Sequence, residues 1–188
     1  MSILLHACCG PCAMYPVDYL LNEGKKLDLF WYNPNIHPQF EWNRRRENLQ
    51  KCADHYKVNL IEGQDECMQE YWEEKTYLTD FNSRCEMCYD IRLDKAARFA
   101  SENGYDAFST TLLVSPYQQH ELIVKTAKMK AELYGVRFDY YDFRPGFRQG
   151  QNMARDIGLY RQKYCGCIFS LEESEFKDKI YKSFEDQS

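Results

Sequence analysis

Short apolar runs alternate along this chain with longer stretches of helical period, and the alternation predicts its elements in order. Residues 3–7 form an apolar run that stops at Cys8-Cys9-Gly10-Pro11 and reads as a buried strand. Residues 13–22 carry helical periodicity, with Gly24 as a C-terminal stop. A second strand over 27–32 ends at the turn signal Asn33-Pro34-Asn35, and 40–56 follows as a long charged helix. A third strand is expected over 58–61, then a helix over 66–74 and an amphipathic helix over 86–103 stopped by Gly104. Residues 107–113 read as a strand, Pro116 as the opening of a helix that runs to about Tyr134, and 136–143 as an alternating strand. A short helix over 151–157 and a charged helical tail over 171–188 complete the order. Strands alternating with helices predict one α/β layered domain over 1–188, Rossmann-like or HUP-like, with a mostly parallel sheet flanked by helices. Ligands of such sheets collect beyond the carboxyl ends of the strands.

Composition narrows the class. At 188 residues and 44% hydrophobic content the chain is long enough to bury a full core. No apolar run approaches the roughly 20 residues of a membrane span, and the opening Met1–His6 stretch lacks the basic start of a signal peptide. A cytoplasmic protein is therefore expected. In that reducing compartment, metal binding or redox chemistry outweighs a structural disulfide framework. Net charge of −5 argues against indiscriminate nucleic-acid binding but leaves room for a local basic face. Two stretches offer one: Arg44-Arg45-Arg46 with Lys51, and Arg144, Arg148, Arg155, Arg161 and Lys163, opposed there only by Asp156. A solvated helix face is the preferred reading of the first run, and a nucleic-acid contact that of the second.

The nine cysteines change the picture most. Seven fall into three knots: Cys8, Cys9 and Cys12; Cys85 and Cys88; Cys165 and Cys167. Cys52 and Cys67 stand alone and read as small, half-buried core residues. A Cys-x-x-Cys at a helix start turns two sulfurs to one side and suits zinc or iron–sulfur ligation. Adjacent Cys8 and Cys9 point apart, which suits different corners of a cluster better than one tetrahedral zinc. Cys165-Gly166-Cys167 can ligate a metal or close a redox-labile disulfide. Seven thiols exceed the need of one zinc. They favour an iron–sulfur centre with a second metal or a redox thiol pair beside it.

Four stretches together are similar to one family: Leu5-His6-Ala7-Cys8-Cys9-Gly10-Pro11-Cys12, Cys85-x-x-Cys88, the run from Thr110 to Gln118, and Tyr160-Arg161-Gln162-Lys163-Tyr164-Cys165-Gly166-Cys167. The chain resembles the cobalamin-independent epoxyqueuosine reductases, QueH, from about residue 3 to residue 170. That resemblance implies reductive removal of the epoxide oxygen of epoxyqueuosine at the tRNA wobble position, the last step of queuosine synthesis. It further implies that Cys8, Cys9, Cys85 and Cys88 hold a 4Fe-4S cluster. Cys165 and Cys167 match a redox-active pair, described as a disulfide or as ligands to a second iron. Cys12 stands where some members carry aspartate and is a candidate ligand of an adjacent mononuclear iron. The partners implied are tRNA carrying epoxyqueuosine and an electron donor that the sequence does not identify.

Proton sources stay open. His6 is either a packed core histidine or a donor beside the first knot. His120 and Tyr117 follow or sit in the Ser-Pro-Tyr-Gln stretch, where Tyr117 would stack a base or give a proton. Arg144, Arg148, Arg155 and Arg161 are the best candidates for phosphate contacts, because guanidinium pairs bidentately with phosphate oxygens. Two other readings remain: an ATP-dependent tRNA thiolase with an iron–sulfur cluster, and a zinc-stabilised nucleic-acid-binding module. The first needs a glycine- and serine-rich phosphate loop where this chain has Cys-Cys-Gly-Pro-Cys.

Overall fold

A computed structural model of the protein describes residues 1–77 and 81–185. Five parallel strands form its sheet: β1 (Ser2–His6), β2 (Lys26–Trp31), β3 (Leu60–Glu62), β4 (Ala107–Thr110) and β5 (Arg137–Phe138). Their spatial order is β3-β2-β1-β4-β5. Ile3 lies opposite Leu27 on one side and Ala107 on the other, and Leu5 opposite Leu29 and Ser109. Ile3, Leu4 and Leu5 are all fully buried, because both faces of the central strand are covered. That double burial explains why the strand is a continuous apolar run rather than an alternating one.

The helices are α1 (Gly10–Asn22), α2 (Gln39–Tyr56), α3 (Gln69–Tyr77), α4 (Arg84–Glu102), α5 (His120–Tyr134), α6 (Phe147–Asp156), α7 (Ile168–Glu172) and α8 (Lys177–Glu185). One layer packs α1 against α2 and α6, and another packs α4 against α5. From β1 the chain first builds outward through β2 and β3, then returns to add β4 and β5 on the other side. The order therefore reverses at β1, and the crevice beyond the β1 and β4 carboxyl ends is where such sheets take ligands.

Several boundaries differ from the sequence expectation, each for a local reason. Helix α1 starts at Gly10, not at residue 13, because Pro11 sits in the first turn where its missing N–H is harmless. This places Cys12 on the helix. Gly10 is also a point of close approach: a Cβ there would lie 2.6 Å from the Asn48 carbonyl oxygen of α2. Strand β4 ends at Thr110, whose hydroxyl accepts the Leu112 N–H and starts a 3-10 turn over Thr111–Val114. Helix α5 waits until His120, since residues 115–119 form a turn in which Ser115 Oγ accepts the Tyr117 N–H. Strand β5 keeps only two residues of the expected eight. Helix α3 lies three residues later than expected, and α6 begins four residues earlier. The tail holds two short helices rather than one; residues 186–188 of that expected helix lie outside the described residues.

Candidate metal and redox site

The first knot sits directly on the carboxyl end of β1. Cys8 donates its N–H to Thr111 Oγ1 at 3.4 Å, which ties the end of β1 to the turn after β4. Cys8, Cys9 and Cys12 are buried, and their sulfurs all lie within 4.8 Å of one another. The thiols of Cys12 and Cys9, acting as donors, hold the Cys8 thiol well below its ordinary range, against the upward push of burial. Burial and the neighbouring sulfurs raise Cys9, and the bond to Cys8 raises Cys12. Gln162 reaches over from the loop before α7 and donates its amide N–H to Cys9 at 3.0 Å and Cys12 at 3.3 Å.

The second knot opens α4. Ser83 caps the helix by accepting the Glu86 N–H, while Glu86 accepts the Asn82 N–H in return, which fixes the turn that carries Cys85 and Cys88. Burial raises the Cys88 thiol to about 12, a push partly offset by Arg92, whose guanidinium donates to the sulfur at 3.5 Å. Burial also raises Cys85.

The third knot is held from beneath by Arg45 of α2. This arginine is 1% exposed and donates to Glu41 at 2.6 Å, to the Tyr164 carbonyl at 2.9 Å and to the Cys165 carbonyl at 2.9 Å. Burial works against the cation, and Glu41 holds it in place. Tyr160 donates its hydroxyl to Glu41 at 3.0 Å. Tyr164 donates its hydroxyl to the His37 carbonyl, and the His37 N–H donates to the Gly166 carbonyl at 2.9 Å. Gly166 has φ +117°, and a Cβ there would meet Ile36 at 3.0 Å and the Arg45 guanidinium at 3.1 Å, so the central residue of this Cys-x-Cys has to be glycine. Burial raises the Cys167 thiol. The fully buried Trp72 packs in one apolar cluster with Met87 and Cys167, and its indole pulls the thiol the other way.

All three knots meet. Cys8, Cys12, Cys85, Cys88, Cys165 and Cys167 line one open cavity of about 520 Å³, with Cys9 packed beside Cys8 at 3.8 Å between sulfurs. All nine cysteines are free, so a Cys165–Cys167 disulfide is not what the structure holds. Cys52 is buried in the core and Cys67 is partly exposed, as expected of isolated cysteines.

The other expected site residues divide. Tyr117 lines the cavity mouth, is 85% exposed and meets Phe147 edge-on at 5.9 Å. Its turn is fixed by Tyr89, which donates to Gln118 at 2.6 Å and accepts the Gln119 N–H. His120 is not among the lining residues; its Nε2 bonds the Tyr140 hydroxyl at 3.1 Å. His6 is buried between the Thr110 hydroxyl and the Tyr32 carbonyl, and burial lowers it to about 3: a neutral core histidine. Arg144 is engaged with both oxygens of Asp142, whereas Arg148, Arg155 and Arg161 are exposed and form no ion pair among the described residues. Of the first basic run, Arg46 pairs with Glu62, and Arg44 lies over the Tyr160 and Phe40 rings. With Arg45 buried, that run is structural rather than a nucleic-acid face. Arg45, Arg92, Trp72 and Gln162 are the working residues that spacing did not single out. Only Gln162 stood inside a recognisable motif.

Fold and cavity define a class: a parallel α/β protein that gathers seven thiols at the switch point of its sheet. Within that class the chain belongs to the epoxyqueuosine reductase QueH family, whose model matches residues 3–173. An epoxyqueuosine reductase QueH of Dehalococcoides mccartyi is 38% identical over 172 residues, covering 92% of this chain and 93% of the relative. That of Thermotoga maritima is 36% identical over 183 residues, covering 94% and 93%. A Streptococcus pyogenes relative of the same name is 32% identical over 182 residues, covering 91% and 71%. Among solved structures, the chain is similar to the U34-tRNA thiolase NcsA from Methanococcus maripaludis with its 4Fe-4S cluster, at a TM-score of 0.49 and 16% identity, over 97% of this chain and 66% of that one. No helix of the described residues is long and apolar enough to cross a membrane.

Proposed function

We propose that the chain is an iron–sulfur epoxyqueuosine reductase, an oxidoreductase that removes the epoxide oxygen of epoxyqueuosine in tRNA and leaves queuosine and water. Family membership supports the reaction. The observation that carries the chemistry is the convergence of three cysteine knots, remote in sequence, on one cavity at the β1–β4 crevice. The donor set fits the group: soft thiolate donors from two walls, three of them preassembled within 4.8 Å, suit an iron–sulfur cluster. Cys8, Cys9, Cys85 and Cys88 would hold it, and Cys12 a second iron. A cluster there supplies electrons one at a time, drawn from a donor outside this chain.

The chain's own residues set up the rest. Tyr117 and Phe147 form an aromatic edge at the mouth on which an unpaired base would stack. Arg148, Arg155 and Arg161 supply uncommitted positive charge for the flanking phosphates. Opening the epoxide and releasing its oxygen as water takes two electrons and two protons. Two thiols that close to a disulfide release two of each, which suits Cys165 and Cys167 as the redox pair; as ligands of the second iron they would serve the same centre.

Two outcomes test these roles. Cys167→Ser should keep the visible absorbance of an intact cluster while product yield collapses; retained turnover would remove the pair from the chemistry. Arg155→Ala should weaken tRNA binding and flatten its salt dependence by about 0.7–0.9 in the log–log slope, the contribution of one phosphate contact. Unchanged binding across several salt concentrations would take this arginine off the RNA face. The reading as a whole is tested by iron and sulfide content of anaerobically purified protein, followed by nucleoside analysis of tRNA after reaction. A colourless protein carrying zinc alone would sink it.

A further inference from the structure

Two arginines are sealed into the wall of the cavity, and they differ in one respect. Arg45 is paired with Glu41 and with two carbonyls of the Cys-x-Cys loop. Arg92 is 3% exposed, and among the described residues no carboxylate pairs with it. Its guanidinium donates to Asn33 Oδ1 at 2.8 Å and to the Cys88 sulfur at 3.5 Å, and its Nε has no partner. Asn33 is fixed in turn: its amide donates to the Ala7 carbonyl at 2.9 Å, and its N–H to Gln64 at 2.7 Å. Arg92 is therefore aimed at the sulfurs from a rigid mount on the carboxyl end of β1.

A guanidinium cannot shed its proton in a protein, so a buried one without an anion is strongly disfavoured. A fold that keeps such a residue has an anion for it. The sulfurs facing Arg92 are those of Cys88, at 3.5 Å, and Cys8, which lines the same cavity; as cluster ligands they would be the anions that offset its burial. Asn33 is neutral, the neighbouring His6 is neutral, and the carboxylates nearest on its own helix, Asp90 and Asp94, are both taken by Lys130.

We infer that Arg92 is the fixed counter-charge of the sulfur site, a positioning residue that balances the anionic centre and makes it easier to reduce. The inference rests on reading that centre as an iron–sulfur cluster. Each electron added makes the centre more negative, and a cation sealed beside two of its ligand sulfurs favours that step. Because the pair is buried, dissolved salt screens it little.

Anaerobically loaded Arg92→Gln and Arg92→Lys variants test it by potentiometric titration of the visible absorbance, with iron and sulfide quantified in each. Arg92→Gln should keep its cluster, and at a fixed poise its ratio of reduced to oxidised centre should fall at least tenfold, a downward shift of at least about 59 mV for one electron. Arg92→Lys, which keeps the charge but not the planar fork, should show less than half that shift. If Arg92→Gln does not hold its cluster, Arg92→Lys retaining both iron and potential supports the same conclusion. An unshifted Arg92→Gln overturns it, as do equal shifts in the two variants or equal loss of iron from both, since charge would then not be the agent. A wild-type protein that takes up no iron would instead overturn the iron–sulfur reading on which the inference stands.

Discussion

Cys88→Ser should yield a folded protein without cluster absorbance and with activity reduced by at least about 100-fold, beyond the range seen when only an outer partner of a metal ligand is lost. Burial holds the Cys88 thiol up at about 12, so in the metal-free protein it is a neutral group that a hydroxyl replaces with little disturbance. A serine hydroxyl is far harder to deprotonate and is a poor ligand for a thiolate-bound cluster. The substitution also takes away the sulfur that Arg92 faces at 3.5 Å. Cluster and turnover should therefore disappear together, while circular dichroism and the unfolding transition of the metal-free protein stay close to wild type. A variant that converts epoxyqueuosine without a cluster would refute the mechanism.

Glu41→Gln should destabilise the protein strongly. Glu41 and Arg45 are 0% and 1% exposed and 2.6 Å apart, and removing one partner of a buried pair costs about 3–5 kcal/mol. That is a large share of the ~5–15 kcal/mol that holds a domain together. The arginine left behind keeps its contacts to Tyr164 and Cys165 but loses its anion, and Tyr160 loses its acceptor. Urea unfolding of the metal-free protein reads the effect directly. Replacing both partners with apolar residues of similar volume, Glu41→Leu with Arg45→Met, should recover much of the stability, because no buried charge is then stranded. Activity should not recover, since the two carbonyls of the Cys-x-Cys loop would have lost their donors. A Glu41→Gln protein within about 1 kcal/mol of wild type would show that the pair does not anchor the loop.

Much of the architecture was legible from patterning. The strand over 3–7, the helices over 40–56 and 86–103, and the placement of Cys85 and Cys88 at a helix opening all correspond to observed elements. They are read well because each has a strong local signature: an apolar run ended by a breaker, or a periodic stripe with a cap. The misplacements follow from interactions that patterning does not contain. The alternation over 136–143 looks like a strand, but β5 is an edge strand with one neighbour, and pairing stops after Phe138. Pro116 can start a helix, yet the Ser115 hydroxyl captures the Tyr117 N–H and holds a turn there instead. His120 follows the motif in sequence but is not among the residues that line the cavity, and its Nε2 bonds the Tyr140 hydroxyl instead.

By itself, the sequence determined which side chains offer sulfur to a site and in what order the layers are laid down. Residue type fixes which side chains offer sulfur, and the period of apolar positions fixes whether a segment is strand or helix. The tertiary structure alone decided which charges serve that sulfur. Arg45 lies in a run of three arginines that looks like a solvated surface, and Arg92 is one basic residue among several on a charged helix. Nothing local distinguishes a buried guanidinium from an exposed one. Glu41 and Cys88 stand one helical turn from Arg45 and Arg92, but burial and the bonds to residues 33, 164 and 165 arise only when α2 and α4 pack into the fold.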